Sequence, residues 1–107
     1  RWTSYGSPNK ADWLEVDFGK PKTFSRVELH IYDDRGGVQR PTSYKVQYLS
    51  GERWVDVKGL KKSPETPKGS AKNTATFEKV TSQKIRAVFT NSGKARSGLT
   101  EFEVWEK

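Results

Sequence analysis

Residues 13–18 read WLEVDF, and their alternation sets the fold: Leu14, Val16 and Phe18 point to one side of an extended chain, and Trp13, Glu15 and Asp17 to the other. A repeat of two residues belongs to a half-buried strand. Residues 26–32 (RVELHIY) continue it, with Val27, Leu29 and Ile31 set against Arg26, Glu28, His30 and Tyr32. Tyr44, Val46 and Tyr48 alternate with Lys45, Gln47 and Leu49, and the turn Ser50-Gly51-Glu52 leads into Trp54, Val55 and Val57, which predicts a hairpin. Phe77 and Val80, then Ile85, Ala87 and Phe89, then Leu99, Phe102, Val104 and Trp105 bring the count to about seven short strands. No stretch carries the helical period for more than a turn. The expected class is therefore all-β, an antiparallel sandwich or barrel.

Composition sets the bounds on this reading. A chain of 107 residues is one domain's worth, here taken as 1–107, and its 32% apolar content is supplemented by four Trp, four Tyr and five Phe, which bury large areas each. The uncharged apolar runs fall far short of the roughly 18 residues a spanning helix needs. With no Cys, a disulfide framework, a thiolate zinc site and cysteine catalysis are all excluded. The first residue is Arg1 and the sequence holds no Met, so the chain reads as a fragment of a longer polypeptide or a processing product.

Two stretches break the strand pattern. Residues 58–73 (KGLKKSPETPKGSAKN) carry five Lys against one Glu, with two Pro and two Gly, and are expected to form a solvated loop. Residues 33–42 (DDRGGVQRPT) place two Asp, two Arg and a Gly pair between strong strands, the composition of a structured turn.

Catalytic chemistry finds little to work with. The one His, His30, lies mid-strand without a nucleophile elbow, so a structural or ligand-contacting role is expected. Asp33 and Asp34 are adjacent and point apart, whereas a glycosidase pair must converge on one bond. A net charge of +7 invites a polyanion through the basic loop, Lys58, Lys61, Lys62, Lys68 and Lys72, although no aromatic residues interleave there as single-stranded nucleic acid would require. Among the aromatics, Trp13, Trp54 and Trp105 fall inside strand patterns and are expected in the core or at its edge. Trp2 is expected to pack. Tyr5 stands in a loop of small and polar residues (WTSYGSPN), where an exposed ring can stack on the C–H face of a sugar or pack within the loop.

The order of Trp2, DWLEVDFG (12–19), FSRVELHIY (24–32), RPTSYKVQYLSGERWVDV (40–57), IRAVFTN (85–91) and LTEFEVW (99–105) resembles the discoidin family, the coagulation factor 5/8 type C domains, whose bacterial members overlap carbohydrate-binding module family 32. The resemblance implies a jelly-roll β-sandwich of seven to eight antiparallel strands, galactose-binding-domain-like, without its usual N-terminal strand. It implies an accessory module with no chemistry of its own, which holds a parent glycoside hydrolase or surface protein in cis against glycan, at an extracellular, periplasmic or cell-surface location. Mapped by loop, the implied glycan contacts are Tyr5 as stacking ring, Asp34 and Arg35 as hydroxyl acceptor and donor, and Asn91 with Arg96 from the opposite loop. Arg40 serves either the site or the anchoring of its turn. No cofactor is implied beyond a structural calcium, for which Glu101 stands where the family's glutamate is expected, and only if upstream ligands accompany it. Membrane insertion and nucleic acid are disfavoured as partners. A structural interdomain module with no ligand, and a basic-loop binder of anionic polysaccharide or nucleic acid, remain as alternatives.

Overall fold

The computed structural model describes residues 1–106 as seven strands: β1 (Trp2–Thr3), β2 (Ala11–Ile31), β3 (Ser43–Ser50), β4 (Arg53–Asp56), β5 (Lys61–Ser63), β6 (Ala71–Thr90) and β7 (Gly98–Trp105). All strand pairings are antiparallel. The hydrogen-bonded path runs β1-β7-β2-β6-β3-β4, with β5 added to β6.

The expected short strands at 13–18 and 26–32 are one strand, and so are those at 77–80 and 85–89. β2 and β6 each run through both layers of a sandwich. Residues 11–17 pair with 84–90 in a layer completed by β3 and β4, and residues 26–31 pair with 71–76 in a layer completed by β7, β1 and β5. The ladder survives the change of layer because β2 bulges between Asp17 and Lys22 and again between Phe24 and Arg26. Gly19 takes φ +77° inside the first bulge, and its amide donates to the Asp17 carboxylate at 2.8 Å.

Alternation then fills the interior. Val27, Leu29 and Ile31 from one layer face Val46, Ile85, Ala87 and Phe89 from the other, all at 2% exposure or less. Phe24 meets Phe77 edge-to-face at 6.2 Å, and Trp2 lies 5.8 Å from Phe89, so the large rings supply burial where aliphatic residues are few. Gly51 and Glu52 link β3 to β4, and Gly51 at φ +63° supplies the first central position of a tight hairpin turn.

Two expectations need correction. Residues 58–73 are not simply a solvated loop, because 61–63 pair with β6 and Asn73 is fully buried. The Asn73 amide accepts from the Lys68 N–H and donates to the Lys68 and Ala71 carbonyls, satisfying backbone that would otherwise need a ladder. Lys62 rests over the Tyr44 ring at 4.5 Å. Trp13 and Trp105 are not core residues but stand 51% and 43% exposed. They occupy outward positions of the alternation, where the guanidiniums of Arg86 and Arg26 lie 5.2 Å from their rings.

Candidate functional site

Four connections gather at one end of the sandwich: residues 4–10, 32–42, 64–70 and 91–97. Backbone hydrogen bonds join them. Ser4 N–H donates to the Ser97 carbonyl, Gln39 N–H to Arg96, Arg96 N–H to Gly37, Asn91 N–H to Lys10, and Ser70 N–H to Ile31. Val38 and Arg96 add a parallel bridge. Loops tied this densely present fixed surfaces.

The turn at 33–40 is held by its own carboxylates. Asp33 accepts from the amides of Arg35 (2.8 Å) and Arg40 (3.1 Å), and Asp34 accepts from those of Gly36 (2.8 Å) and Val38 (3.1 Å). In consequence the Arg35 backbone sits at φ +61°, a conformation disfavoured for a residue with a β-carbon. Arg35 and Arg40 project their side chains outward and line a hollow of about 340 Å³ with Asp33, Pro67, Lys68, Gly69 and Ser70.

Asn91 and Arg96 are spent on the loops themselves. Asn91 is buried at 7% exposure; its Nδ2 donates to Asp12 Oδ2 (2.9 Å) and to the Asn9 carbonyl (3.1 Å), and its Oδ1 accepts from Ser97 Oγ (2.8 Å). Arg96 donates from Nε to the Ser7 carbonyl and from Nη1 to the carbonyls of Gly93 and Ala95. Burial of Asp12 works to raise its pKa, but hydrogen bonds from Asn91, Ser7, Asn9 and Ser4 outweigh that and hold the carboxyl below the usual carboxylate range.

Tyr5 is 74% exposed, and its ring lies against the α-carbon of Gly37, where a β-carbon would collide with it. On one side of Tyr5 is a second hollow of about 360 Å³, lined by Trp2, Ser4, Tyr5, Ser7, Asn9, Asp12 and Trp13. The structure thus brings Tyr5, Arg35 and Arg40 to one exposed rim, leaves Asp34 exposed beside them with its Oδ1 committed to the turn, and spends Asn91 and Arg96 on the scaffold beneath. Trp13 is a rim residue that sequence reasoning missed, and Lys68 is one it named only among the five lysines of the basic loop. The signal for Trp13 was its parity, opposite to Leu14 and Val16. Lys68 could not be told from the other lysines of its loop.

Glu101 lies on β7, opposite His30, and lines neither of these two hollows. Its Oε2 is 3.7 Å from His30 Nε2, and Glu103 Oε1 is 3.5 Å from the same nitrogen. Glu28, His30 and Glu103 offer ligand atoms within 4.8 Å of one another, yet Glu28 is already balanced by Arg26 at 3.6 Å and Lys72 at 3.8 Å. Calcium requires six to eight oxygens, and a set that presents an imidazole and a carboxylate committed to two cations does not fit it.

The sandwich and its loop end have counterparts. A chain of the Streptococcus pneumoniae β-galactosidase BgaA superposes with a TM-score of 0.90 at 21% identity, over 99% of this chain and 75% of that one. Chitosan-binding module 1 of a chitosanase/glucanase from Paenibacillus sp. IK-5 gives a TM-score of 0.69 at 25% identity, over 97% of this chain and 74% of the module. SpGH29 gives 0.68 at 27% identity over 98% of this chain, which spans only 21% of that protein. Residues 1–102 match the F5/8 type C domain, so the bulged strands, the stacked layers and the clustered loops are those of a known architecture, and the chain belongs to the F5/8 type C domain family.

Proposed function

We propose that this chain is a noncatalytic carbohydrate-binding module that receives a glycan end at the loop rim, with the Tyr5 ring under the sugar's C–H face and Trp13 on the far wall of the same hollow. One observation carries the reading: Tyr5, 74% exposed, lies over Gly37 at the mouth of a concavity with polar groups in its walls. A pyranose needs that combination, an apolar face on an aromatic ring and hydroxyls met by planar polar groups. Arg35 and Arg40 reach the rim from the neighbouring turn and serve as hydroxyl donors, while Asp34, Asn91 and Arg96 fix the loops that carry them.

The similarity to a chitosan-binding module supports a saccharide ligand and a noncatalytic role. In this reading the module works beside a catalytic domain of the same polypeptide, in a secreted or surface-exposed polysaccharide-degrading protein, and raises the local concentration of substrate by tethering. An open single-sugar site gives a weak affinity of about −4 to −6 kcal/mol, high micromolar to millimolar. A glycan array followed by calorimetric titration tests it. Binding that weakens about tenfold or more in Tyr5→Ala is the expected result. Silence across neutral and acidic saccharides alike would remove the proposal.

A further inference from the structure

The hollow on the other side of the 33–40 turn differs in chemistry from the aromatic one. Three cations, Arg35, Arg40 and Lys68, line it against a single carboxylate, Asp33, both of whose oxygens already accept backbone amides. None of the three cations makes an ion pair among the described residues. The aromatic hollow contains no Lys or Arg at all.

The basic hollow is also built, in the sense that its walls are fixed before any ligand arrives. Fully buried Asn73 clamps Lys68 by both its amide and its carbonyl, at 2.9 Å each. Gly69 lets the 64–70 loop close onto Asp33, since a β-carbon at Gly69 would come within 2.6 Å of the Asp33 carboxylate and 2.7 Å of its β-carbon. Arg35 (φ +61°) and Ser70 (φ +55°) are the only non-glycine residues with positive φ among those described, and both line this hollow. Strain of this kind concentrates where a side chain is held for a purpose. Two guanidinium forks and an ammonium lining one hollow in excess over a single carboxylate match the planar, bidentate demands of a carboxylate or sulfate.

We propose that the hollow lined by Arg35, Arg40 and Lys68 is a subsite for the anionic group of an acidic glycan, a uronate carboxylate or a sulfate ester. This assignment rests on the carbohydrate-binding reading above and names the ligand class. Tyr5 stacks one sugar ring while the basic hollow holds the charge of the same or the adjoining residue. Cationic chitosan is repelled here.

The test titrates galacturonate and glucuronate trisaccharides, each against its own methyl ester, and galactose 6-sulfate against galactose, into the wild-type chain and into the Arg35→Gly/Lys68→Ala double variant. An anionic ligand should bind about tenfold tighter than its neutral counterpart at low salt, and the preference should shrink as salt screens it. In the double variant the preference should fall to about twofold or less, while loss of the Arg35 hydroxyl donor weakens binding of charged and neutral sugars alike by about fivefold. Preference for a uronate identifies the carboxylate and preference for galactose 6-sulfate identifies the sulfate; either supports the subsite. Equal affinity for charged and neutral partners overturns it and leaves the carbohydrate reading standing, whereas no binding to any saccharide overturns both. A single-stranded DNA oligonucleotide that binds tighter than every acidic sugar overturns the assignment to glycan.

Discussion

Replacing Asn91 with alanine separates a scaffold residue from a ligand contact. The substitution removes three side-chain hydrogen bonds: to the Asp12 carboxylate at 2.9 Å, to the Asn9 carbonyl at 3.1 Å, and from Ser97 Oγ at 2.8 Å. A neutral bond contributes about 1 kcal/mol and one to a charged group about 1.5–3 kcal/mol, and the buried Ser97 hydroxyl is left without an acceptor. Because the three share partners they do not add fully, and a net loss of about 3 kcal/mol is expected, with the melting temperature lowered by more than about 10 °C. The loss also depends on pH. Asp12 is depressed below its ordinary value of 3.8 in the folded chain, so its contribution is complete above that value and vanishes as pH falls through the lower folded pKa. Asn91 is one of its donors, so the gap between wild type and variant should be widest near neutral pH and narrow below about pH 4. Urea unfolding of both proteins at about pH 7 and about pH 3 measures it. A variant as stable as wild type at both pH values, but deficient in glycan binding, would refute the scaffold role and make Asn91 a ligand contact.

Further outcomes follow from the same geometry. Gly37→Ala should leave the melting temperature within a few degrees, because the Tyr5 ring in its way is an exposed side chain free to swing, yet it should weaken glycan binding about as much as Tyr5→Ala does; titration and thermal unfolding together check this. Arg35→Gly should raise stability by up to about 1 kcal/mol in denaturant unfolding, since relief of the left-handed backbone exceeds the entropy glycine adds to the unfolded chain. Arg86→Ala should cost about 2 kcal/mol in the same assay: the guanidinium lies 4.3 Å from the Trp54 ring and 5.2 Å from Trp13, and donates to Gln47 Oε1 at 2.8 Å. Gly69→Ala should destabilise the chain and abolish any preference for anionic sugars at once, because its β-carbon meets the Asp33 β-carbon and not a flexible tip. Unchanged unfolding for Gly69→Ala would show that the two loops are not packed as described.

Much of this architecture could be read from parity alone. Leu14, Val16 and Phe18, and then Val27, Leu29 and Ile31, turn inward as their alternation requires, and the Gly51 turn joins β3 to β4 as its composition requires. Parity failed only where residue type was allowed to overrule it. Trp13 and Trp105 are expected in the core or at its edge because tryptophan is large and apolar, although their positions alternate with inward residues, and each stands about half exposed beside an arginine instead. Continuity of β2 and β6 through both layers was not legible, because a bulge reads in sequence like a loop: Gly19 and Pro21 look like the end of one strand and the start of another. Asn73 hides in the same way, as a polar residue in a lysine-rich stretch whose burial depends on backbone groups five residues earlier. At the loop end, sequence pointed to segments that the fold gathers together but could not tell which polar groups face outward. Asp34, Asn91 and Arg96 carry the same functional groups as residues that contact sugars, and only the hydrogen bonds they make show them committed to the loops. Arg35 and Arg40 reach the rim because Asp33 holds their amides and leaves their side chains unengaged.

Amide and indole chemical-shift mapping by NMR during a titration with the tightest saccharide from the array examines the binding rim as a whole. The account predicts perturbations confined to one end of the sandwich, at Tyr5, the Trp13 indole, residues 34–40 and residues 67–70, with Glu101, Glu103 and the β3–β4 hairpin unmoved. Shifts centred on β7 or on the hairpin, with Tyr5 and Trp13 silent, would contradict it.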